Sequence, residues 1–248
     1  MTSADMTSGD IASGPSQSLS RAEQIDHIRT ISEAMVRVSE SSLDAPVEHC
    51  PGWTVRDLVA HIADVQWFWA DIIERGVTRY EDRRQPPGPP PGTDIVGWFS
   101  AQTKRLVDRL AMWDGRQPLW TWWGPDQSIA FVARRQLNEV AVHAWDAANA
   151  AGAAVPIERD VAVLGLEEFA EVFVHDLKSA AAPPPLRLDA SDTSWSTVLF
   201  GADRSNTTEA ETDLVLRATA SDLLLMLWQR RPVDDERVAA ALDAVDRS

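Results

Sequence analysis

Cysteine is nearly absent from this chain of 248 residues, and so are long apolar runs. The single cysteine, Cys50, excludes an internal disulfide and is typical of a protein kept in a reducing cytoplasm. The longest apolar candidate, residues 223–228, falls far short of the roughly 18 residues that a membrane span needs. These shortages predict a cytoplasmic protein that does not cross a membrane.

Positive charge is also scarce. The chain has 23 Lys and Arg against 38 Asp and Glu, which gives a formal net charge of −15, and Lys104 and Lys178 are its only lysines. A strongly acidic chain argues against nucleic acid and anionic membranes as partners. Residues 1–18 lack both the basic and the apolar region of a signal peptide, so we expect a disordered leader there.

Apolar residues at helical spacing predict four helices in the first part of the chain. The second of them begins at Thr54, whose hydroxyl forms a capping box with Asp57, and ends at Gly76. A proline-rich loop at 85–92 separates it from the third. The helices are expected at about 20–43, 54–76, 94–113 and 126–151. Four helices of these lengths indicate a bundle.

The pattern changes after Gly152. A further helix at 159–180 is followed by short β-type runs and then by two more helices, the first capped by Ser221. The strands are expected at 186–190, 195–200 and 213–218, and the last helix at 234–245. We therefore predict an α+β protein, with a leader at 1–18, a four-helix bundle at 19–152 and a small α+β domain at 153–248. A crevice between two such domains is a common place for a ligand.

The residues most suggestive of chemistry are Glu139 and His143, four residues apart on the fourth helix. That spacing puts both side chains on one helical face. If His61 of the second helix lies alongside, the three make a His₂Glu set, which holds a divalent metal and leaves one position open. Glu139 and His143 point away from the apolar stripe of the fourth helix, so they face either solvent or a second surface such as a cleft. His61 lies at the edge of a buried face, where a histidine is more often a boundary residue than a ligand.

Other side chains admit two interpretations each. Asp57 is four residues from His61, but a cap is the better interpretation than a ligand. Cys50 lacks an evident general base beside it, so packing is favoured over a nucleophile or ligand. Three further histidines lack partners at ligand spacing and default to the surface: His27, His49 and His175.

The tryptophans and the C-terminal arginines are also ambiguous. A tryptophan cluster could stack on a sugar or aromatic ligand, or plug the end of the bundle; its members are Trp113, Trp120, Trp122 and Trp123. Arg230 and Arg231 follow a helix end, where cations suit the macrodipole. They could equally clamp a substrate carboxylate, because a guanidinium pairs with a carboxylate through two donors.

The run from Cys50 to His61, with Pro51-Gly52-Trp53 at its start, resembles the entry to the metal-binding domain of the mycothiol-dependent maleylpyruvate isomerases. Glu139-xxx-His143, followed by Trp145-Asp146, is similar to the second half of that metal site. The run 220–230 is similar to the end of the family's second domain. The resemblance extends from about residue 20 to 245, in the same order along the chain.

The resemblance implies a DinB-like four-helix bundle with a divalent metal, commonly zinc, on His61, Glu139 and His143. It also implies a sterol-carrier-like second domain and the use of mycothiol, the low-molecular-weight thiol of actinobacteria. The metal would lower the pKa of this thiol, whose thiolate adds to the double bond of maleylpyruvate. Arg230 matches a family arginine thought to hold a substrate carboxylate, although the adjacent Arg231 is an alternative.

We therefore expect a metal-dependent, mycothiol-using isomerase or transferase that acts on an anionic electrophile such as maleylpyruvate. Its partners would be a small thiol and that electrophile. One alternative is a non-catalytic metal- or thiol-binding protein of the same fold. Another is a bundle without metal, in which Glu139 and His143 form a surface pair that contributes only about 0.2–0.5 kcal/mol.

Overall fold

The computed structural model describes residues 19–112, 118–179, 181–200, 212 and 214–247. The expected leader at 1–18 and Trp113 lie outside these residues. Within them the chain forms seven α-helices and three β-strands, an α+β arrangement as predicted. The helices are α1 (Arg21–Ser39), α2 (Val55–Arg75), α3 (Ile95–Met112), α4 (Ile129–Ala150), α5 (Arg159–Val172), α6 (Ala220–Leu227) and α7 (Glu236–Asp243). The strands are β1 (Leu186–Ala190), β2 (Ser196–Leu199) and β3 (Leu214–Ala218).

The start of α2 confirms the predicted capping box. The Thr54 hydroxyl accepts from the backbone N–H of Asp57, and the Asp57 carboxylate accepts from the Thr54 backbone N–H at 2.8 Å. Two of the donors that a helix N-terminus leaves free are thereby satisfied. At the other end Gly76 takes a left-handed conformation, φ 61°, which terminates the helix. Asp57 is thus occupied as a cap, which supports the capping interpretation over the ligand one.

Helices α1 to α4 pack as a bundle, with α1 against α3 and α4, and α2 against α3 and α4. Their facing sides are fully buried and apolar, as the helical periodicity predicts, with Ile28, Leu58, Phe99 and Leu137 at 0–1% exposure. The first helix is shorter than expected and ends at Ser39. Helices α2 and α4 also pack against each other, which brings residues on their facing sides close together.

The second part of the chain is a three-stranded sheet with the strand order β2-β1-β3. Strand β1 pairs antiparallel with β2 and parallel with β3, so that Leu188 lies opposite Thr197 on one side and Leu216 on the other. Helix α6 packs against the sheet and against α5. These elements share a second apolar cluster that includes Phe169, Leu188 and Leu224.

Two predictions for this part were wrong in detail. The cap of α6 is Thr219, whose hydroxyl accepts from the N–H of Asp222, whereas Ser221 is buried inside the helix and accepts from the N–H of Ile157. Thr219 is the residue with the extended backbone that a cap requires, which the serine-aspartate pattern did not reveal. The helix expected at 159–180 ends at Val172 and continues as a 3₁₀ turn over Phe173–His175.

Helix α5 connects the two parts. Its Val161 and Leu164 belong to the apolar cluster of the bundle, while its Leu166 and Phe169 belong to that of the sheet. The predicted boundary near residue 152 stays a prediction, because the chain beyond it contributes to both clusters. Within the described ranges, the helices are all too short or too polar to cross a membrane.

Candidate metal centre

Helices α2 and α4 bring His61, Glu139 and His143 together. The Nε2 atom of His61 lies 3.3 Å from Oε1 of Glu139, and the Nε2 atom of His143 lies 3.5 Å from the same oxygen. The two imidazole rings are 5.5 Å apart between centroids. One ligand atom from each residue lies within 4.8 Å of the others, a separation at which a single ion can contact all three. Two imidazole nitrogens and one carboxylate oxygen are a donor set that suits zinc.

The Glu139–His143 pair faces inward and not toward bulk solvent, since both side chains are about 15% exposed. Burial alone would raise the pKa of Glu139, but the Arg135 guanidinium and hydrogen bonds from His143 and His61 hold it well below its usual range. Burial would also lower the pKa of His143, yet its contacts with Asp146, Cys50 and Glu139 raise it well above 6.5. In the metal-free protein these contacts therefore favour the ionised form of Glu139 and the protonated form of His143.

The second nitrogen of His143 has its own partner. Its Nδ1 lies 3.0 Å from Oδ2 of Asp146, a fully buried carboxylate one turn along α4. A carboxylate there fixes which nitrogen of the imidazole carries a proton and leaves Nε2 for a ligand. Burial would raise the pKa of Asp146, and hydrogen bonds from His143 and Arg230 lower it instead. The i,i+3 spacing from His143 could have indicated Asp146 from the sequence, but no role was predicted for Asp146.

Cys50 packs against the apolar core of the bundle, as the packing interpretation expected, and its sulfur also lies near polar groups. Its Sγ lies 4.0 Å from Oδ2 of Asp146, and Cys50, His143 and Asp146 form a second close group of potential ligands. However, Nη2 of Arg230 lies 2.8 Å from Asp146 and 3.9 Å from the Cys50 sulfur. A guanidinium already supplies the positive charge at this point, so the group is better described as an anchor for Arg230 than as a second metal site.

The two neighbouring C-terminal arginines differ in position. Arg230 lines the same cavity as the candidate ligands, and its side chain is 12% exposed. It donates to both oxygens of Asp146 and, through Nη1, to the backbone carbonyl of Trp228 at 2.7 Å. Arg231 instead pairs with Asp222 at 2.9 Å on the surface, with its side chain 47% exposed. Of the two, Arg230 is the one that faces the cavity.

Arg135 is a further charged residue of the site that the sequence analysis did not single out. It lies one turn before Glu139 on α4 and donates through Nη2 to Oε2 of that carboxylate. Its Nη1 donates to Glu168 of α5 at 3.0 Å. Burial alone would lower the pKa of Arg135, but the carboxylates of Glu139 and Glu168 raise it above its ordinary value. The i,i+4 spacing to Glu139 was again the available signal.

A cavity of about 640 Å³ lies in front of the candidate ligands. Its lining includes charged side chains and three aromatic ones, Trp122, Phe173 and Trp228. Its remaining lining residues are Asn138, Val142, Asp176, Gln229 and Arg247, together with the ligands, Arg135 and Arg230. The site thus combines a compact donor set, cations and flat apolar surfaces.

The tryptophan cluster separates into different environments. Trp122 is 43% exposed at the cavity and contacts Phe131 and Phe173 edge-on or tilted. Trp120 stacks on Trp69 of the bundle, as the plug interpretation expected for the whole cluster. Trp123 stacks on His175. Among the members of the cluster that the structure describes, the ligand-stacking interpretation therefore concerns only Trp122.

The other histidines stand apart from this centre. His175 is exposed, as expected, whereas His27 and His49 are partly buried, at 23% and 20% side-chain exposure. His49 packs against Trp145 with ring centroids 5.9 Å apart. None of these three belongs to a close group of potential ligands within the described chain.

Fold and site together define an α+β protein with a helical bundle and a candidate metal centre between two of its helices. Residues 26–148, which span most of α1 and α4 and all of α2 and α3, match the family model described as the mycothiol maleylpyruvate isomerase N-terminal domain. The bundle therefore belongs to this N-terminal domain family, which confirms the resemblance stated from the sequence.

Solved structures show the same fold. The chain is similar to a crystal structure of a His-to-Ala mutant of the mycothiol-dependent maleylpyruvate isomerase, with a TM-score of 0.61 and 13% identity over 86% of this chain and 90% of that one. A crystal structure of the mycothiol-dependent maleylpyruvate isomerase itself gives a TM-score of 0.58 and 15% identity over the same shares. At such identity the likeness concerns the fold alone. Comparison with curated proteins gave no match.

Proposed function

We propose that this protein is a metal-dependent enzyme that uses mycothiol to isomerise, or to transfer the thiol to, an anionic electrophile such as maleylpyruvate. The observation that carries the proposal is the convergence of two histidine Nε2 atoms on one oxygen of Glu139 at the wall of a 640 Å³ cavity. The family of the bundle supports mycothiol as the thiol. The single cysteine supports the cytoplasm as its location.

His61, Glu139 and His143 would hold the metal, for which zinc is the expected ion. A divalent metal at this point lowers the pKa of a bound thiol, so that the thiolate is available near neutral pH. The protein's own contribution is to orient the ligands. Asp146 holds Nδ1 of His143, and so directs Nε2 into the cavity.

The charged and aromatic residues that line the rest of the cavity suit an anionic, unsaturated substrate. In an acidic chain, a carboxylate substrate needs a local positive site, and Arg230 is the cavity residue proposed for it. The aromatic lining residues, of which Trp122 is the most exposed, offer a flat surface to an unsaturated body. Under this proposal the charged end of a substrate would lie toward Arg230 and its apolar part toward Trp122.

One observation favours a second candidate, a metal- or thiol-binding protein without turnover. The guanidinium of Arg230 already donates to Asp146, to the Trp228 carbonyl and toward Cys50, which leaves few N–H groups for a substrate. If Arg230 serves only as an internal anchor, the cavity lacks its proposed carboxylate clamp. Replacing Arg230 with Lys, which keeps a charge but loses the planar fork, separates the two candidates. Under the enzyme proposal, the Arg230→Lys variant binds maleylpyruvate more weakly than wild type does. Under the alternative, neither wild type nor the variant binds maleylpyruvate.

Metal content tests the proposal first. Wild type, His143→Ala and the control His175→Ala would be purified without added metal and measured by elemental analysis. We expect about one zinc per chain in wild type and in the control, and loss of zinc in His143→Ala. A wild-type protein that binds no metal even after addition of zinc would contradict the proposal. With metal present, turnover of maleylpyruvate with and without mycothiol tests the reaction.

A further inference from the structure

The two oxygens of Glu139 have different surroundings. Oε1 faces the Nε2 atoms of His61 and His143 at 3.3 and 3.5 Å. Oε2 points the other way and accepts from Nη2 of Arg135. One carboxylate oxygen is thus directed to the candidate metal position, and the other is engaged by a cation that comes from the same helix.

Arg135 is itself held in place from several sides. Its Nη1 donates to Glu168, whose side chain is fully buried. Asn138 donates to the same oxygen of Glu168. The guanidinium lies 5.5 Å from the ring of Phe173 and 5.7 Å from that of Trp228, within the range of a cation–π contact. With 13% of its side chain exposed, Arg135 has little freedom to turn away from Glu139.

We propose that Arg135 is a positioning residue that keeps Oε2 of Glu139 away from the metal, so that Glu139 presents Oε1 alone. The inference rests on the proposed function, because it concerns how the candidate ligand is presented to the ion. Glu168 serves as the counter-anchor that fixes Arg135 from α5.

Such an arrangement matters because a carboxylate can bind a metal ion in two ways. A glutamate can bind a divalent cation through one oxygen or through both. Binding through both would fill a position that a catalytic site keeps open for thiol or substrate. A guanidinium on the second oxygen prevents this and also withdraws negative charge from the ligand. Partners of this kind typically change metal affinity about 10–100-fold when they are removed.

The local charges agree with this role. Arg135 lies between the side chains of Glu139 and Glu168, and of these two only Glu139 lines the cavity. A purely structural ion pair between α4 and α5 would need only Arg135 and Glu168. The contact with Glu139 is the part that a structural role does not require.

Cobalt is a suitable probe, since its visible absorption reports coordination number. Metal-free wild type would be titrated with Co²⁺ beside Arg135→Met and Arg135→Lys. The double variant Arg135→Met/Glu168→Met removes the buried pair together, which avoids leaving an unpaired buried charge if the single variant fails to fold. Arg134→Met is the matched control, because the neighbouring Arg134 pairs with Glu171 at 2.6 Å and lies outside the cavity lining.

We expect the Arg135→Met and double variants to show the altered, weaker visible bands of a higher coordination number. Their affinity for Co²⁺ should rise, by up to about 10–100-fold, because a second carboxylate oxygen is freed and a nearby positive charge is lost. Arg135→Lys should keep bands and affinity closer to those of wild type, and Arg134→Met should match wild type. Unchanged bands in the Arg135→Met and double variants, whatever their affinity, would overturn the positioning role. A wild-type protein that binds no Co²⁺ would instead overturn the proposed function, and with it this inference.

Discussion

The guanidinium of Arg230 donates to the buried carboxylate of Asp146 at 2.8 Å, although 84 residues separate the two in the chain. The same oxygen of Asp146 lies 3.0 Å from Nδ1 of His143. A C-terminal residue and a candidate metal ligand thus share one carboxylate. A substitution of Arg230 therefore changes the surroundings of Asp146 and, through Asp146, those of His143. The stability of the protein and the proton binding of His143 should both respond to it.

Removal of Arg230 should destabilise the protein, while removal of Arg231 should not. In Arg230→Ala the buried Asp146 loses its guanidinium partner and keeps only His143 and the nearby thiol. We expect a loss of about 1–3 kcal/mol in the free energy of unfolding, the usual cost of leaving a buried polar group short of a partner. Arg231→Ala breaks an exposed pair that contributes about 0–1 kcal/mol. Urea denaturation of both variants checks this, and equal losses would contradict it.

Zinc binding should release a proton from His143. The pKa of His143 in the metal-free protein is raised above its ordinary value, which favours the imidazolium, whereas the lowered pKa of Glu139 keeps that residue ionised. Because a metal binds the neutral imidazole, we expect zinc binding at pH 7 to release protons, up to about one per zinc, and to weaken as the pH falls. Calorimetry in two buffers of different ionisation enthalpy measures the number of protons released per zinc.

Asp146→Asn should reduce that proton release, since the hydrogen bond that His143 donates to Asp146 is the largest of the contacts that raise the pKa of His143. Asp44→Asn is the control, because Asp44 pairs with Arg56 on the surface and is 91% exposed. Proton release that stays the same in Asp146→Asn would show that other groups set the pKa of His143.

Gly165→Ala should disturb the packing between α4, α5 and α6. A Cβ at Gly165 would lie 2.9 Å from Oδ1 of Asn138 and 3.0 Å from the Leu224 side chain, both closer than a normal contact. We expect a loss of about 1–3 kcal/mol in the free energy of unfolding, typical of overpacking. Gly124→Ala, where the new methyl group meets nothing within 4 Å, should change stability by less than about 0.5 kcal/mol. Thermal denaturation compares the two.

Trp122→Ala should weaken ligand binding more than Trp123→Ala does. Trp122 lines the cavity and is 43% exposed, whereas Trp123 stacks on His175 outside the cavity lining. Loss of one aromatic contact is expected to reduce affinity about 2–10-fold, from the roughly 0.5–1.5 kcal/mol of such pairs. Calorimetric titration of the zinc-loaded proteins with mycothiol is the measurement. Equal affinities in both variants would remove Trp122 from the proposed binding surface.

Local features of the fold were predictable because they depend on neighbours in the chain. The Thr54–Asp57 box and the end of α2 at Gly76 follow from residues within one turn of each helix terminus. The three strands were located by their apolar and β-branched residues, with ends that differ by no more than one residue where they are described. The cap of α6 was assigned wrongly because Thr219 and Ser221 are both capable of capping, and only the backbone conformation selects between them.

The candidate site divides in the same way. The spacing of Glu139 and His143 predicted one helical face, His61 was considered as a third ligand from another helix, and the family resemblance implied all three as ligands. The direction of that face, however, depends on how α4 is rotated against α2 and α5, which periodicity left open. The surroundings of Cys50 were missed, because Asp146 lies 96 residues away in the chain.

By itself, then, the sequence determined where the helices and strands form, how α2 is capped and which three side chains could ligate a metal. The tertiary structure alone decided that Arg230 and not Arg231 faces the cavity, that Asp146 joins His143 to Arg230, and that Arg135 holds the second oxygen of Glu139. The physical reason is the distance along the chain over which each kind of contact acts. Helical spacing fixes contacts within a turn, whereas the pairing of buried charges across the chain is set by the packing of whole elements against one another.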